Sequence, residues 1–370
     1  MKKDVPTTTD FPRRVFIQRE AWNYPLTERI LSRVGPAFEI IDDPEAIREE
    51  LASFRDPIGE GKKILYLATQ KGKFVKACPC SSRVISCGYF VINSILGCPL
   101  DCSYCVLQTY LSDPWITIFV NEADLELSLK PFLSSEKLSG FRVGTGELAD
   151  SLALEPVTGQ AERLSFLFQH SHQAILELKT KTVFIEPWLE LPPSPRIVFS
   201  WSLNAESIAR EEEKGAAPIA DRIKAASHLA QRGYGVGFHF DPLVYFENWE
   251  KEYESVIREI FSTLPVRSIR WISLGALRFP VALKPIIRAR FPHNPIFAGE
   301  LILGRDGKWR YFKPLRLKIF STILEMIKSY GGENIPLYLC MEDEEVWQLV
   351  FKKKPEGKKD FRTLFVLPVN

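Results

Sequence analysis

The hydrophobic and polar positions of the chain alternate between two periods from about residue 85 onward. Short β-rich runs are followed by longer stretches with helical spacing, a pattern typical of parallel strands joined by crossover helices. The strands predicted from this pattern are residues 84–93, 141–146, 174–180, 197–203, 234–240 and 268–273. The helices predicted between them are residues 159–169, 220–231 and 249–264, and the last two end at Gly233 and Pro265. The predicted fold is therefore α/β, a TIM-like partial (β/α)6 barrel with N- and C-terminal extensions.

Two further regions flank the predicted barrel, so we divide the chain into residues 1–80, 81–275 and 276–370. The first is an accessory region to which we assign no function. Its predicted elements are a helix at 25–33 capped near Thr27 and strands at 38–41 and 63–68. The third region carries four predicted elements, which are a hairpin at 298–312 closed around Asp306 and Gly307, a helix at 315–330, a strand at 336–341 and a short helix from Glu342.

The composition is that of a globular protein, with 45% hydrophobic and 25% charged residues. No run of about 18 apolar residues occurs and the N-terminal residues are mostly polar, so we expect a cytoplasmic protein without a membrane segment. The charge balance, 48 basic against 46 acidic residues, neither requires nor excludes a nucleic-acid partner. Basic residues gather at 278–318 and 352–359, where they form either a phosphate-binding surface or a solvated face.

Seven cysteines, an odd number, favour reduced thiols over a disulfide framework. Three of them, Cys98, Cys102 and Cys105, are separated by three and then two residues, with Tyr104 just before the third. Three thiolates can bind three irons of a 4Fe-4S cluster and leave the fourth iron open, where S-adenosylmethionine would bind and be cleaved to a 5'-deoxyadenosyl radical. The alternatives are a structural zinc site completed by a distant ligand, or buried cysteines acting as small hydrophobic residues.

The residues at this point resemble a known family. The cysteine spacing with Tyr104 is the radical S-adenosylmethionine signature, and residues 87–108 are similar to spore photoproduct lyase. Further similar segments are residues 237–242, 304–312 and 338–342. The resemblance implies an enzyme that uses a 4Fe-4S cluster and S-adenosylmethionine to repair a thymine dimer of ultraviolet-irradiated spore DNA. It also implies an electron donor such as a flavodoxin or a ferredoxin.

One position departs from the family. In the lyases a cysteine after the second strand returns a hydrogen atom to the product, and aligning residues 150–152 places Glu147 at that position. A carboxylic O–H bond is much stronger than a thiol S–H bond, so Glu147 is a poor replacement. The resemblance also implies a catalytic role for tyrosines beside the third cluster cysteine, as relays of this hydrogen atom. Tyr104 is present, whereas Val106 stands where some lyases carry a second tyrosine. Another donor, or another substrate, is therefore expected; the candidate replacement donors are Cys78, Cys80, Cys87 and Cys340.

The resemblance also assigns cofactor contacts. Glu147 ends a Gly-Thr-Gly-Glu run that resembles the element by which radical S-adenosylmethionine enzymes hold the methionine amino group; the alternative is a turn with a solvent-facing acid. Lys181 matches a lysine that binds the methionine carboxylate. Ser202 and Asn204 match positions near the same cofactor, or else cap the next helix. His239 and Asp241 leave the fifth strand and either line the same mouth or serve as a buried histidine and a turn residue.

The predicted hairpin combines basic and aromatic residues. Basic side chains can neutralise phosphates while aromatic rings stack on a displaced base, although a hairpin packed on the barrel explains the same pattern. The residues concerned are Arg305, Lys308, Arg310 and Lys313 with Trp309, Tyr311 and Phe312.

Two classes of function therefore remain open. The first is a radical S-adenosylmethionine enzyme, acting on a thymine photoproduct in DNA or on a different nucleic-acid or small-molecule substrate. The second is a non-catalytic module in which the cysteines hold a structural metal and the basic C-terminal region binds nucleic acid.

Overall fold

The computed structural model describes residues 11–353 and residue 355, apart from residues 36, 82–83, 135–140 and 172–173. The basic run predicted at 352–359 therefore lies mostly outside the described residues. The strands of the described residues are β1 (Arg14–Gln18), β2 (Glu39–Ile41), β3 (Ile64–Ala68), β4 (Val75–Ala77), β5 (Phe90–Ile92), β6 (Ile95–Leu96), β7 (Asp101–Cys102), β8 (Ile116–Phe119), β9 (Arg142–Gly144), β10 (Ile175–Thr180), β11 (Ile197–Ser202), β12 (Glu213–Lys214), β13 (Gly235–Leu243), β14 (Ile269–Ala276), β15 (Arg278–Pro280), β16 (Ile302–Leu303), β17 (Lys308–Arg310) and β18 (Leu337–Leu339).

The α-helices fall between these strands and after them. They are α1 (Pro25–Val34), α2 (Glu45–Ala52), α3 (Pro57–Gly61), α4 (Leu107–Tyr110), α5 (Glu122–Leu133), α6 (Glu155–Thr158), α7 (Gln160–Phe168), α8 (Glu186–Glu190), α9 (Glu206–Glu212), α10 (Ile219–Arg232), α11 (Trp249–Thr263), α12 (Leu283–Arg290), α13 (Lys313–Gly331) and α14 (Glu344–Phe351). None of these helices combines the length and the apolar character needed to cross a bilayer.

The largest sheet has the strand order β18-β14-β13-β11-β10-β9-β5-β4. All six predicted barrel strands are present in it, and each pairs in parallel with the next. The first is much shorter than predicted, because Gly88 adopts a positive φ of 76° just before it. In the part of the chain that the structure describes, the strand order is open, with β18 and β4 at its two ends, so the predicted partial barrel is confirmed.

Two strands extend this sheet beyond the six predicted units. At one edge β18, from the C-terminal region, pairs in parallel with β14. At the other edge β4 pairs antiparallel with β5. The strand predicted at 336–341 therefore forms, and it belongs to the barrel sheet rather than to a separate sheet.

The central strands are buried because both of their faces are covered. Every residue of β11 is buried, and the large buried rings include Phe199 and Trp201. Continuous burial of this kind is typical of parallel strands with helices packed against the sheet. The predicted helix at 220–231 is confirmed as α10 and ends at Gly233, whose φ of 100° is a left-handed conformation that suits glycine. The helices predicted at 159–169 and 249–264 are confirmed as α7 and α11.

A second sheet with the order β2-β1-β3-β8-β6 contains the two strands predicted in the accessory region. The pattern did not predict β1 or β8, which come from residues 14–18 and 116–119. The cysteine segment does not follow the first barrel strand directly, because β6 lies between them and pairs with β8 of this second sheet. The predicted cap at Thr27 is wrong, because α1 begins at Pro25 and the Thr27 hydroxyl donates to the Ala21 carbonyl at 2.6 Å.

The predicted C-terminal hairpin is confirmed as β16 and β17, and β15 adds a third strand to this small sheet. Gly307 has a φ of 76° at its turn. The helices predicted after the hairpin are confirmed as α13 and α14, and the Asp343 carboxylate caps α14 by accepting from the Val346 N–H.

Candidate functional site

A cavity of about 480 Å³ lies at the carboxyl ends of the parallel strands. All seven cysteines of the chain line it, although they are spread from residue 78 to residue 340. Because parallel strands present their carboxyl ends at one edge of a sheet, the loops that follow them meet there. The charged residues that share this lining are Lys76, Arg142, Glu147, Asp150, Glu177, Lys179, Lys181, Asp241, Arg278 and Lys308.

The three-cysteine segment enters the cavity through a turn that only glycine fits. Gly97 has a φ of 95°, and a Cβ there would lie 3.1 Å from the Trp115 carbonyl oxygen. Its N–H donates to the Leu148 carbonyl at 2.9 Å, which joins this segment to the loop after β9. Cys98 and Cys102 are buried in the lining, and Cys105 is partly exposed.

Side chains from distant parts of the chain hold the backbone of this segment. The Gln108 amide donates to the Ser103 carbonyl at 2.9 Å and to the Cys105 carbonyl at 3.3 Å. Lys62 donates to the Cys98 carbonyl at 3.0 Å. Arg290 of α12 donates to the Gln108 Oε1 at 2.5 Å, so a residue from the C-terminal region helps to hold the segment. Neither Lys62 nor Arg290 is predictable from the sequence, since single basic residues far from the motif carry no recognisable pattern.

The three thiols suit an iron-sulfur cluster better than a single ion. Among the described residues, no three His, Cys, Asp or Glu side chains are gathered closely enough to hold one metal ion. A zinc ion draws its ligand sulfurs to about 2.3 Å from one centre, whereas a 4Fe-4S cluster takes each thiolate on a different iron. Burial raises the pKa of Cys102 to about 12, so binding of iron would displace a thiol proton there.

Arg290→Ala is expected to loosen the cysteine segment. The Arg290 side chain is 5% exposed and also pairs with Asp56 at 2.8 Å and Asp101 at 3.0 Å. Loss of these charged hydrogen bonds should lower the free energy of unfolding by about 2 kcal/mol and reduce the iron bound after anaerobic reconstitution. Thermal unfolding and iron analysis measure both effects. The control is Arg288→Ala on the same helix, where the arginine is exposed; equal iron in both variants would contradict the expectation.

Tyr104 and Lys181 are brought together in a buried network beside the segment. Lys181 donates to the Tyr104 hydroxyl at 2.8 Å and to Glu213 at 2.7 Å, and the Tyr104 hydroxyl donates to the same carboxylate. Arg222 pairs with the other oxygen of Glu213 at 2.6 Å. Burial alone would raise the pKa of Glu213, but the charges of Lys181 and Arg222 outweigh it and lower the pKa to about 2. Two cations around one carboxylate leave positive charge next to Cys102, which suits an anionic ligand group.

Glu147 also lines the cavity, where it forms an ion pair with Lys179. The approach is close because Gly146 has no side chain; a Cβ there would lie 2.7 Å from the Cβ of Lys179. The Glu147 side chain is 34% exposed within this lining, so its carboxylate is accessible to a ligand. Its contact with a methionine amino group stays a prediction.

Of the two cofactor residues predicted at the end of β11, only one lines the cavity. Ser202 is the last residue of that strand and lines the cavity. Asn204 lies outside the lining and is fully buried, and its amide donates to the Pro242 carbonyl at 3.1 Å. The Asn204 Oδ1 accepts from the Tyr253 hydroxyl at 2.6 Å. The contacts seen for Asn204 are therefore structural, and its proposed role at the cofactor stays a prediction without support from this geometry.

His239 and Asp241 both line the cavity, but each already has partners. His239 is buried between the Glu177 carboxylate at 2.8 Å and the Ser273 hydroxyl at 3.1 Å, as expected for a satisfied core histidine. Burial lowers the pKa of His239 despite the neighbouring carboxylate. Asp241 accepts two hydrogen bonds from Arg278 at 2.9 and 3.0 Å.

The hairpin residues divide between packing and exposure. Arg310 and Tyr311 are buried, and Arg310 pairs with Asp306 at 2.5 Å. Lys308 lines the cavity and lies 6.0 Å from the ring centre of Tyr110. Phe312 is exposed. Some of the basic and aromatic residues therefore pack the hairpin against the rest of the protein. The nucleic-acid role of the others stays a prediction.

Comparisons with known proteins agree on one family. A family model described as spore photoproduct lyase matches residues 11–313. The spore photoproduct lyase of Clostridium acetobutylicum is 23% identical over 335 residues, covering 88% of this chain and 96% of that protein. The spore photoproduct lyase of Bacillus subtilis is 25% identical over 310 residues, covering 80% of this chain and 87% of that protein.

Solved structures of spore photoproduct lyase are similar to this fold. One, complexed with dinucleoside spore photoproduct, has a TM-score of 0.75 at 20% identity and covers 89% of this chain and 98% of that one. A double mutant with bound AdoMet and the same dinucleoside also has a TM-score of 0.75, at 21% identity, with the same coverage.

Proposed function

The chain belongs to the spore photoproduct lyase family, and from this membership we propose that its cavity is the active site for cleavage of the spore photoproduct in DNA. The family resemblance predicted from the cysteine segment is thereby confirmed. The protein is a lyase that depends on S-adenosylmethionine and a 4Fe-4S cluster. Membership favours this enzyme over the non-catalytic metal-stabilised module.

Cys98, Cys102 and Cys105 are the proposed ligands of the cluster. The observation that carries the proposal is that these three thiols line one cavity together with Lys181 and Glu147. When bound, the cluster and S-adenosylmethionine supply a 5'-deoxyadenosyl radical. The protein has to hold the thiols in place and to exclude water, and the burial of Cys98 and Cys102 serves both purposes.

The charges around the cavity suit the two ends of an amino acid moiety. Lys181, held by Glu213 at 2.7 Å, can bind a carboxylate without moving its backbone, because its side chain is long and flexible. Glu147 can accept hydrogen bonds from an ammonium, in competition with Lys179. Ser202 adds a hydroxyl to the same lining. We assign these three residues to S-adenosylmethionine.

The proposed substrate is the spore photoproduct within DNA. Two spore photoproduct lyase structures of similar fold are described as complexes with the dinucleoside form of this lesion. A cavity of about 480 Å³ lies within the range of small-molecule and cofactor sites. Lys308 and Tyr110 in its lining provide a cation and an aromatic ring for a displaced nucleotide. We also propose a cytoplasmic location, since a reducing compartment suits such a cluster. A flavodoxin or a ferredoxin is the proposed electron donor.

Anaerobic reconstitution tests this function. The reconstituted protein should hold about four irons, release 5'-deoxyadenosine from S-adenosylmethionine only when dithionite is present, and convert dinucleoside spore photoproduct to two thymidine units. Samples without dithionite provide the control. One bound zinc and no cleavage of S-adenosylmethionine would contradict the radical step. Release of 5'-deoxyadenosine without conversion of the lesion would instead indicate a different substrate, which Glu147 at the family's cysteine position would explain.

A further inference from the structure

The segment between α9 and α10, residues 213–218, lies against the three-cysteine segment. Its first residues form β12, and the pairing of β12 with β7 places Glu213 directly opposite Cys102. Near its other end the Ala217 N–H donates to the Lys181 carbonyl at 2.9 Å. The backbone of this segment is therefore joined both to a proposed cluster ligand and to a residue assigned to S-adenosylmethionine.

Arg222 of α10 ties the same segment to the barrel strand β11. Its side chain is 1% exposed, and its guanidinium donates to the Ala217 carbonyl at 2.7 Å and to the Ser202 carbonyl at 2.9 Å. It also forms an ion pair with Glu213 at 2.6 Å. Because Ser202 is another residue assigned to S-adenosylmethionine, one buried arginine connects Glu213 with the backbone of the proposed cofactor site.

The Glu213 carboxylate is shared by three side chains. It is fully buried, and one of its oxygens accepts hydrogen bonds from the Lys181 ammonium at 2.7 Å and from the Tyr104 hydroxyl. Its other oxygen faces Arg222. Lys181 also donates to the Tyr104 hydroxyl at 2.8 Å, so these two side chains and Glu213 form a closed ring of hydrogen bonds. A lysine loses rotamer freedom when it binds a ligand, but here the folded protein has already restricted it.

We propose that Glu213, held by Arg222, is a positioning residue that presents the Lys181 ammonium to the carboxylate of S-adenosylmethionine. The inference rests on the proposed function, which assigns Lys181 to that carboxylate. Glu213 acts through Lys181 and does not itself contact the cofactor. The charges of the group suit this ligand, because Lys181 and Arg222 are cations around a single anion and one further anionic group balances them.

Decarboxylated S-adenosylmethionine, which lacks only the carboxylate, is the probe for this role. Equilibrium dialysis of the reconstituted protein, without reductant or DNA, measures the Kd of this analogue and of S-adenosylmethionine. The amide of Glu213→Gln has a single acceptor oxygen, so it cannot serve Lys181 and Arg222 on opposite sides. Loss of a residue that orients a ligating group typically costs about 10–100-fold in affinity. We expect a rise of this size in the Kd of S-adenosylmethionine, with the Kd of the analogue unchanged.

Glu212→Gln is the matched control for Glu213→Gln. Glu212 is the neighbouring buried glutamate, and its carboxylate accepts hydrogen bonds from Ser103 of the cysteine segment and from Asn294. This variant should keep the wild-type preference for S-adenosylmethionine over the analogue. Loss of the preference in both variants would indicate a general disturbance of the cysteine segment, and no loss in Glu213→Gln would leave Glu213 without this role. Either result would overturn the proposal.

Glu213→Asp keeps the proposal testable if the glutamine variant does not fold or does not hold iron. Aspartate retains the negative charge between the buried cations, but its side chain is shorter by one methylene group. Its carboxylate should therefore not reach Lys181 and Arg222 together. Iron content and the midpoint of thermal unfolding show whether the protein is intact. An intact variant with a reduced preference supports positioning, whereas an intact variant with the wild-type preference contradicts it.

The outcomes separate this inference from the function on which it rests. A reconstituted wild-type protein that binds no S-adenosylmethionine would refute the proposed function. Equal binding of S-adenosylmethionine and the analogue by the wild-type protein, or an unchanged preference in Lys181→Met, would refute the assignment of Lys181. Loss of the preference in Lys181→Met but not in Glu213→Gln would leave that assignment intact and refute only the positioning role. In the Lys181→Met background Glu213→Gln should change neither Kd further, since its effect passes through Lys181.

Discussion

Cys102→Ala should reduce release of 5'-deoxyadenosine to background. Cys102 is buried and lies in β7, which pairs with β12 through Glu213, so the backbone should keep its place when the sulfur is removed. Two thiolates would then remain for a cluster that needs three protein ligands. We expect iron content and the absorbance of the cluster to fall together with the activity, measured after anaerobic reconstitution.

The matched control for Cys102→Ala is Cys87→Ala. Cys87 lines the same cavity but lies outside the cysteine segment, so its loss should leave iron content unchanged. If Cys102→Ala retained about four irons and released 5'-deoxyadenosine, the assignment of the cluster to this segment would be wrong. If Cys87→Ala lost the cluster as well, the ligand set would extend beyond the three predicted cysteines.

Glu177→Leu should destabilise the whole barrel. Glu177 lies on β10 with 2% of its side chain exposed, and its Oε1 accepts hydrogen bonds from Ser200 at 2.7 Å and from Trp271 at 3.0 Å. The same Oε1 lies 2.8 Å from the His239 Nε2, and the Glu177 Oε2 lies 3.5 Å from the Nε of the Arg142 guanidinium. Burial alone would raise the pKa of Glu177, but these partners outweigh that effect and hold the pKa well below its usual range.

Leucine would remove this shared acceptor from four side chains at once. Breaking a buried ion pair from one side costs about 3–5 kcal/mol, so the midpoint of thermal unfolding of a chain of this length should fall by roughly 5 °C. The control is Glu211→Leu, since Glu211 pairs with Arg210 on the surface at 3.4 Å and both side chains are more than half exposed. Exposed pairs contribute about 0–1 kcal/mol. Equal unfolding midpoints in the two variants would show that the Glu177 network contributes little to stability.

Local patterns in the sequence were enough to predict most strands and helices of the barrel. Each barrel strand and helix is encoded by the spacing of its own apolar residues, so β9, β10, β11, β13 and β14 were found close to their observed bounds. The proposed cluster segment could be recognised for the same reason, because its three cysteines lie within eight consecutive residues. Strand β1 was missed because its three buried residues lie between polar ends in a run too short to show a period.

At the edges of elements the local pattern no longer determines where a side chain lies. Ser202 and Asn204 are two residues apart, which on a strand would place them on the same face. The strand ends at Ser202, and Asn204 turns away to accept a hydrogen bond from Tyr253. The sequence could not distinguish these two residues, because the difference depends on where pairing with β13 stops.

The sequence by itself therefore determined the α/β class, the family and the segment that we propose as the cluster site. Only the tertiary structure decided what surrounds that segment. Arg290 is 182 residues away from the Gln108 that it holds, and Cys340 lines the same cavity as the cysteines of the 78–105 region. Such contacts depend on how parallel strands align their carboxyl ends, and no periodicity along the chain records that alignment.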